Sequence, residues 1–478
     1  MILRNARLGS RAVDVRIDDG TIVELGTIAA TDDESLDLDG RWVTPGLWDN
    51  HVHFNQWALQ SQRLDVSSAG SAAETARRIA AAITPRSPKP FIAVGFRDGL
   101  WPDSPNLADL DAASADPVVV VGGDLHGAWL NSAALRLYGF SESAGSEVAT
   151  GLVRENDAFR VIGLIDQVDD AQLDTWVDTA ARTAAAKGVV GVVDYEMAWN
   201  VESWTRRQAA GSNSLRIEIG VYTEHLERAI AEGLKTGDRL GDLLTMGNFK
   251  ILIDGSLNTR TAYCWDAFAG TDGEFGVLTV PEDRLVELMR RASGAGIQPS
   301  VHAIGDRANT IALDAFERVG CGGRIEHAQF LSTSDLPRFA QLGVAASIQP
   351  DHAMDDRDVA DRYWAGRTDR AFPLRSLLDA GATVLLGSDA PVSPLDPWRT
   401  IAAAVGRFRD GREPWHPEQS ITAAEALAAS ARSTVAVGQP ADLVITQRDP
   451  FGSSADALQT LPVFATMLGG RFTHGGSA

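Results

Sequence analysis

Apolar runs alternate with helix-spaced patterns through the middle of this chain. Eight runs read as strands, ending near His51–His53, Asp194, Tyr222, Asp254, His302, His327, Gln349 and Asp389. Helical patterns separate most of them, such as Pro281 to Met289 ahead of the fifth run. This alternation predicts a parallel α/β fold. Eight strand–helix units predict a closed (β/α)8 TIM barrel.

The two ends of the chain have a different texture. Val13, Val15 and Ile17 alternate with polar residues, an Asp18-Asp19-Gly20 turn follows, and Thr21-Ile22-Val23 begins a second short strand. Residues 438–445 and 462–470 each read as strand and turn. The shared β character predicts that residues 1–43 and 430–478 join in one small composite β-sandwich, flanking a barrel over residues 44–429. The tail, Thr473 to Ala478, is expected to be disordered.

The spacing of the barrel strands is uneven. After His53 the next barrel strand begins near Val189, and residues 55–188 carry elements of their own at Phe91–Phe96, Pro117–Gly122 and Asn131–Leu137. A segment that follows a barrel strand leaves from the catalytic mouth, so this insertion is expected to form a lid or substrate-pocket subdomain. A structural insertion remote from the site is the other reading.

Composition narrows the function. The chain has 478 residues with 44% hydrophobic residues, enough for a large core and an accessory domain. Its net charge of −21 would repel phosphate backbones and anionic lipid, so neither nucleic acid nor a membrane surface is an expected partner. The two cysteines, Cys264 and Cys321, form no CxxC motif. With no signal-peptide h-region at the N-terminus, they are read as idle thiols in a reducing cytoplasm. No apolar run is long enough to span a bilayer. Oligomeric state is open, a homodimer included.

Metal-type side chains cluster at the strand ends. In a strand, residues i and i+2 point the same way, so His51 and His53 can bind one cation together. His302 and His327 end two further runs, which places four of the nine histidines at the mouth of one barrel. Asp389 follows a buried run and suits a metal ligand and proton carrier; a turn or cap aspartate is the plainer alternative. Lys250 sits in an apolar strand, where an unpartnered ammonium is costly. Either it is carboxylated by CO2 to a metal-bridging carbamate, or it is salt-bridged to Asp254 or Glu326.

The ordered set PGLWDNHVHF, NFKILIDGSLNTRTA, VHAIGDRAN, RIEHAQ, ASIQPDH and LGSDAPV resembles the amidohydrolase superfamily. More closely, it resembles the amidohydrolase-3 branch of YtcJ-like proteins, which includes N-substituted formamide deformylase. GGDLHGAWLNSAAL in the insertion and GQPADLVI near the C-terminus extend the likeness over nearly the whole chain. The resemblance implies a barrel with a composite β-sandwich and a divalent-metal hydrolytic site. It implies that His51 and His53 hold one metal, that His302 and His327 hold a second, and that Lys250 as N6-carboxylysine bridges them. Asp389 is implied to bind the first metal and shuttle the proton.

The implied activity is hydrolysis of a non-peptide C–N bond, an amide or N-substituted formamide, in a small molecule. The same chemistry serves aminohydrolases and hydrolases of cyclic amides or esters. A non-catalytic metal- or small-molecule-binding barrel is the reading from another class, and the presence of both Lys250 and Asp389 argues against it. Zinc is the expected metal, as one ion or two, although such ligands also accept iron, manganese, cobalt or nickel. For substrate binding, His126, Arg260, His352 and Trp57 are the candidates, each with a structural alternative. Trp57, Trp101, Trp129 and Trp265 are expected in loops around the mouth, where an aromatic lining would suit an apolar or aromatic N-substituent.

Overall fold

The computed structural model describes residues 1–29, 32–140 and 150–476. Three sheets organise the chain. The central one has eight parallel strands in sequence order, Leu47–Val52, Val189–Asp194, Arg216–Tyr222, Leu244–Leu252, Pro299–Ala303, Gly323–His327, Val344–Ile348 and Val384–Leu386. They correspond to the eight apolar runs, as expected of a (β/α)8 barrel whose strands are covered on both faces. The helix expected after Pro281 spans Glu282–Gly294 and buries Leu285, Val286, Leu288, Met289 and Ala292, an apolar stripe facing the sheet.

The barrel closes where the first strand meets the eighth. Asp389 N donates to His51 O at 2.8 Å, and His53 N donates to Ala390 O at 2.7 Å. One buried carboxylate oxygen, Asp49 Oδ1, accepts from both Ser388 N at 2.9 Å and His51 N at 3.2 Å. Burial drives the Asp49 carboxyl up to about 7, against the hydrogen bonds that favour its charged form. Near the starts of the strands, Glu218 joins Arg324 and Arg432 in an ion triad. Arg432 also donates to Asn50 Oδ1 at 3.1 Å and stacks on Trp48 at 4.0 Å, which ties the first strand to the third and sixth.

Both termini enter a second eight-stranded sheet. Its N-terminal members are Ile2–Leu8, Arg11–Asp18, Thr21–Gly26, Ser35–Asp37 and Trp42–Pro45; its C-terminal members are Leu443–Thr446, Val463–Leu468 and Arg471–Gly475. Ile2–Leu8 is shared along its length, with Ile2–Arg4 pairing Ser35–Asp37 and Arg7 pairing Trp42. Trp42–Pro45 pairs antiparallel with Leu443–Thr446, and this is where the two ends of the chain join. Leu3, Val15, Ile22, Val43, Leu443, Ile445 and Met467 form the common core. The expected disordered tail is corrected here: Arg471–Gly475 is a strand held against Val463–Leu468. Residues 477–478 lie outside the described residues.

The insertion folds around a third, five-stranded sheet containing Leu64–Asp65, Phe91–Phe96, Val118–Gly122, Gly127–Leu130 and Leu152–Arg154. Among the described residues no helix is long and apolar enough to cross a membrane. Cys264 is buried and burial pushes its thiol up to about 12, whereas Cys321 is half-buried.

Two substitutions test the closure. Asp49→Asn keeps an acceptor oxygen for both N–H groups and is expected to change stability by less than about 1 kcal/mol. Asp49→Leu strands two buried donors and is expected to cost about 2–6 kcal/mol in chemical denaturation. Glu218→Ala leaves two guanidinium groups facing each other and is expected to cost about 3–5 kcal/mol.

Candidate active site

A cavity of about 420 Å³ opens at the C-terminal ends of the barrel strands. His51, His53, Lys250, His302, His327 and Asp389 all line it, so all six of the expected metal-type residues converge. The mouth of a (β/α)8 barrel is where such residues from distant positions can meet.

Local backbone explains how each side chain arrives. Strand alternation carries His51 and His53 to the same side, with ring centroids 5.6 Å apart. His327 has a left-handed backbone, φ 74°, which breaks the alternation with Glu326. Glu326 therefore reaches His51 while the His327 ring packs 4.3 Å from that of His302. Asp389 is also left-handed at φ 58°. Its Oδ1 lies 3.5 Å from His51 Nε2 and 3.3 Å from His53 Nε2. Such backbones are costly for residues with side chains and cluster at functional sites.

Behind His51 lies a buried polar chain. His51 Nδ1 is 2.8 Å from Glu326 Oε2, which fixes Nδ1–H as the donor and leaves Nε2 facing the cavity. Glu326 Oε1 accepts from Tyr195 OH and from Ser300 Oγ, each at 3.0 Å. Burial opposes ionisation of Glu326, but His51, Lys250 and Arg324 outweigh it and hold the carboxyl at about 2. Lys250 Nζ sits 3.0 Å from His51 Nε2 and 4.6 Å from the centre of the Tyr195 ring. Burial lowers the Lys250 ammonium to about 8.

Neither expected salt-bridge partner holds Lys250. Asp254 turns away and accepts from Tyr263 N, Ile304 N and Gly305 N at 2.9–3.0 Å, and Glu326 is committed to His51, Tyr195 and Ser300. Gly305 allows the loop after the fourth strand to cross here, since a Cβ would lie 2.1 Å from Tyr263 O.

The donor set suits a divalent cation. One ligand atom from each of His51, His327 and Asp389 lies within 4.8 Å of the others. Asp389 Oδ1 is buried without a hydrogen-bond partner. Burial pushes His302 and His327 well below their usual pKa, and burial and Lys250 lower His51, so the imidazoles are neutral and offer lone pairs. Burial would raise Asp389, but His51, His53 and His327 overcome it and keep the carboxylate charged. Nitrogen and carboxylate donors of this kind suit zinc and its first-row neighbours.

The substrate candidates divide. His126 and His352 line the cavity. His352, in the first turn of helix Pro350–Tyr363, has Nε2 3.9 Å from Asp389 Oδ2 and stacks on His327 at 6.2 Å. Arg260 is corrected: it stands off the cavity, 3.7 Å from Glu274, with its guanidinium over the Tyr363 ring. Trp57 is corrected too, because it lies in helix Phe54–Gln60 and packs on Phe54 rather than lining the mouth.

Trp129 is fully buried in a strand, Trp101 packs on Phe96, and Trp265 is 49% exposed. The apolar lining comes instead from Leu59, Phe159, Ile162, Leu173 and Met197, most of it on the insertion. Sequence reasoning missed Tyr195, Ser300, Asp124 and Glu155. The polar run Asp194-Tyr195-Glu196 at a strand end was the available signal for the first.

A (β/α)8 barrel with a buried histidine–carboxylate cluster at its mouth defines the class as a barrel protein with a metal-type site. The chain belongs to the amidohydrolase family, whose model matches residues 34–474. N-substituted formamide deformylase of Arthrobacter pascens is 27% identical over 96% of this chain and 93% of its own length. The putative amidohydrolase YtcJ of Bacillus subtilis is 25% identical, over 98% and 96%. An uncharacterised metal-dependent hydrolase from Pyrococcus horikoshii has the same fold, with a TM-score of 0.79 at 24% identity over 95% of this chain and 99% of that one.

Proposed function

We propose that this protein is a divalent-metal-dependent hydrolase of a non-peptide C–N bond, an amide or N-substituted formamide of a small molecule. The observation that carries this reading is the convergence of His51, His327 and the orphaned Asp389 oxygen at one point of the cavity. Family membership supports hydrolysis, and the similarity to a formamide deformylase supports the bond type.

In this reading His51, His53 and Asp389 would hold one cation, and His302 and His327 would hold a second. Lys250, if carboxylated on Nζ, would supply a further oxygen donor. A bound divalent cation supplies Lewis acidity toward the substrate carbonyl and toward water. Asp389 accepts the proton released when water adds to the carbonyl carbon. It then delivers that proton to the departing nitrogen, which is needed because an amide anion is a poor leaving group. Glu326 keeps His51 Nδ1 protonated and its ring in place. The apolar wall of Leu59, Phe159, Ile162, Leu173 and Met197 is suited to an apolar N-substituent.

Screening N-formyl and N-acyl amines against zinc- and manganese-loaded protein tests the reaction, with an amine plus a carboxylic acid as the expected products. Ammonia release from a heterocycle would replace this reading with deamination. On a substrate so found, Asp389→Asn is expected to lower kcat by at least about 100-fold. Full turnover in that variant would overturn the proton-carrier role. Dialysis against a chelator is expected to abolish activity, and zinc or manganese to restore it. Carbon NMR of metal-replete protein under carbon-13-labelled CO2 is expected to show a carbamate resonance that is missing from Lys250→Ala, and its absence from the metal-replete wild type would reject the bridge.

A further inference from the structure

The insertion delivers one polar pair to the cavity that the hydrolytic reading does not use. His126 lines the cavity, and its Nδ1 is 3.0 Å from Glu155 Oε2. Strand register produces this meeting. Gly127–Leu130 pairs antiparallel with Leu152–Arg154, with Gly127 opposite Arg154. The next residues outward are therefore His126 and Glu155, and Glu155 N donates to His126 O at 2.9 Å.

The pair is also pinned to the barrel. Glu155 Oε1 accepts from Thr261 Oγ1 at 3.1 Å. Thr261 lies in the loop after the fourth barrel strand, and Gly255 O of that loop is 3.5 Å from His302 Nε2. A short chain of contacts thus runs from His126 to the metal-type histidines.

Two features suggest that this pair serves the reaction. Glu155 holds φ 49° and ψ −125°, a backbone region that favours glycine. A glutamate occupies this position although its side chain makes no cap to the helix it precedes. In addition, Glu155 takes Nδ1 of His126, so Nε2 is the nitrogen left to serve the cavity shared with Asp389, His302 and His327.

We propose that His126 donates a hydrogen bond from Nε2–H to the substrate oxygen that becomes negative during attack, and that Glu155 is the positioning residue that keeps the ring charged and aimed. No proton changes hands in this step. The ring contributes a charged donor where negative charge develops. Burial opposes a charged ring, yet the Glu155 carboxylate on Nδ1 and the neighbouring Asp124 raise the pKa of His126 above its ordinary value. Asp124 is fixed as well: Oδ1 accepts His126 N, and Oδ2 accepts from Ser256 and Asn258.

This inference rests on the hydrolytic reading, and the test separates the two. The probe is benzylphosphonate, whose tetrahedral anion resembles the attacked carbonyl, titrated calorimetrically into full-length zinc-loaded protein. His126→Asn is expected to weaken binding about tenfold or more at unchanged zinc content. Glu155→Gly removes the carboxylate and relieves the left-handed backbone; it is expected to fold normally and to weaken binding several-fold.

Adding Glu155→Gly to His126→Asn is expected to cause no further loss, because Glu155 acts through His126. Nitrogen NMR of histidine-labelled protein is expected to show a charged His126 ring at neutral pH that becomes neutral in Glu155→Gly. Undiminished phosphonate affinity in His126→Asn, or a ring still charged in Glu155→Gly, would overturn the proposal. A wild-type protein that binds neither zinc nor the phosphonate would instead reject the hydrolytic reading, and this inference with it.

Discussion

The seam between the first and eighth barrel strands is the constraint on which the candidate site depends. Without it, His51 and Asp389 belong to opposite ends of an open sheet. The backbone bonds from Asp389 N to His51 O and from His53 N to Ala390 O set the spacing of three of the six cavity residues directly. Asp49 makes this possible by accepting two buried N–H groups with one oxygen. The side chain that secures the joint is therefore two residues from the first histidine, and the structural and chemical uses of this strand are interleaved residue by residue.

Buried carboxylates around the cavity behave differently according to their partners. Asp49 and Asp254 are met by neutral backbone N–H groups, and burial lifts both to about 7. Glu326 is met by His51, which donates Nδ1–H to it, and by the charge of Arg324, and it is held at about 2. The residue type is nearly the same and the burial is equally complete. What differs is whether the neighbours bring dipoles or net charge. The cavity thus holds a firmly ionised carboxylate one hydrogen bond behind His51, where it orients the ring without competing for the open side.

Much of this was legible in the chain. Eight apolar runs became eight barrel strands because a parallel sheet covered on both faces needs continuous apolar sequence. The six metal-type residues converged because strand ends share one mouth. The misreadings have a common cause. Arg260 and Trp57 lie just past strand ends, where the sequence does not say which way a loop or helix turns, and each found other partners. Trp129 was read as a loop residue but sits in a strand of the insertion core, since an isolated aromatic carries no sign of its own burial. The tail from Thr473 was expected to be disordered as a chain terminus, yet backbone pairing with Val463–Leu468 ties it into the sheet as far as Gly475. His126 and Glu155 meet through the antiparallel register of Gly127–Leu130 and Leu152–Arg154, which no local pattern encodes.

The joining of the two ends in one sheet has a consequence for how the protein is made. Trp42–Pro45 needs Leu443–Thr446 as its neighbour, and that partner follows all eight barrel strands in the chain. While the ribosome is still at work, the N-terminal strands present an unpaired edge, the kind of surface that invites association between nascent chains. The first barrel strand follows directly from Trp42–Pro45 and likewise waits for the eighth. Completion of the terminal sheet therefore follows closure of the barrel in chain order, and a chain cut short of Val384 lacks both the sheet and the seam that hold its N-terminal strands in place.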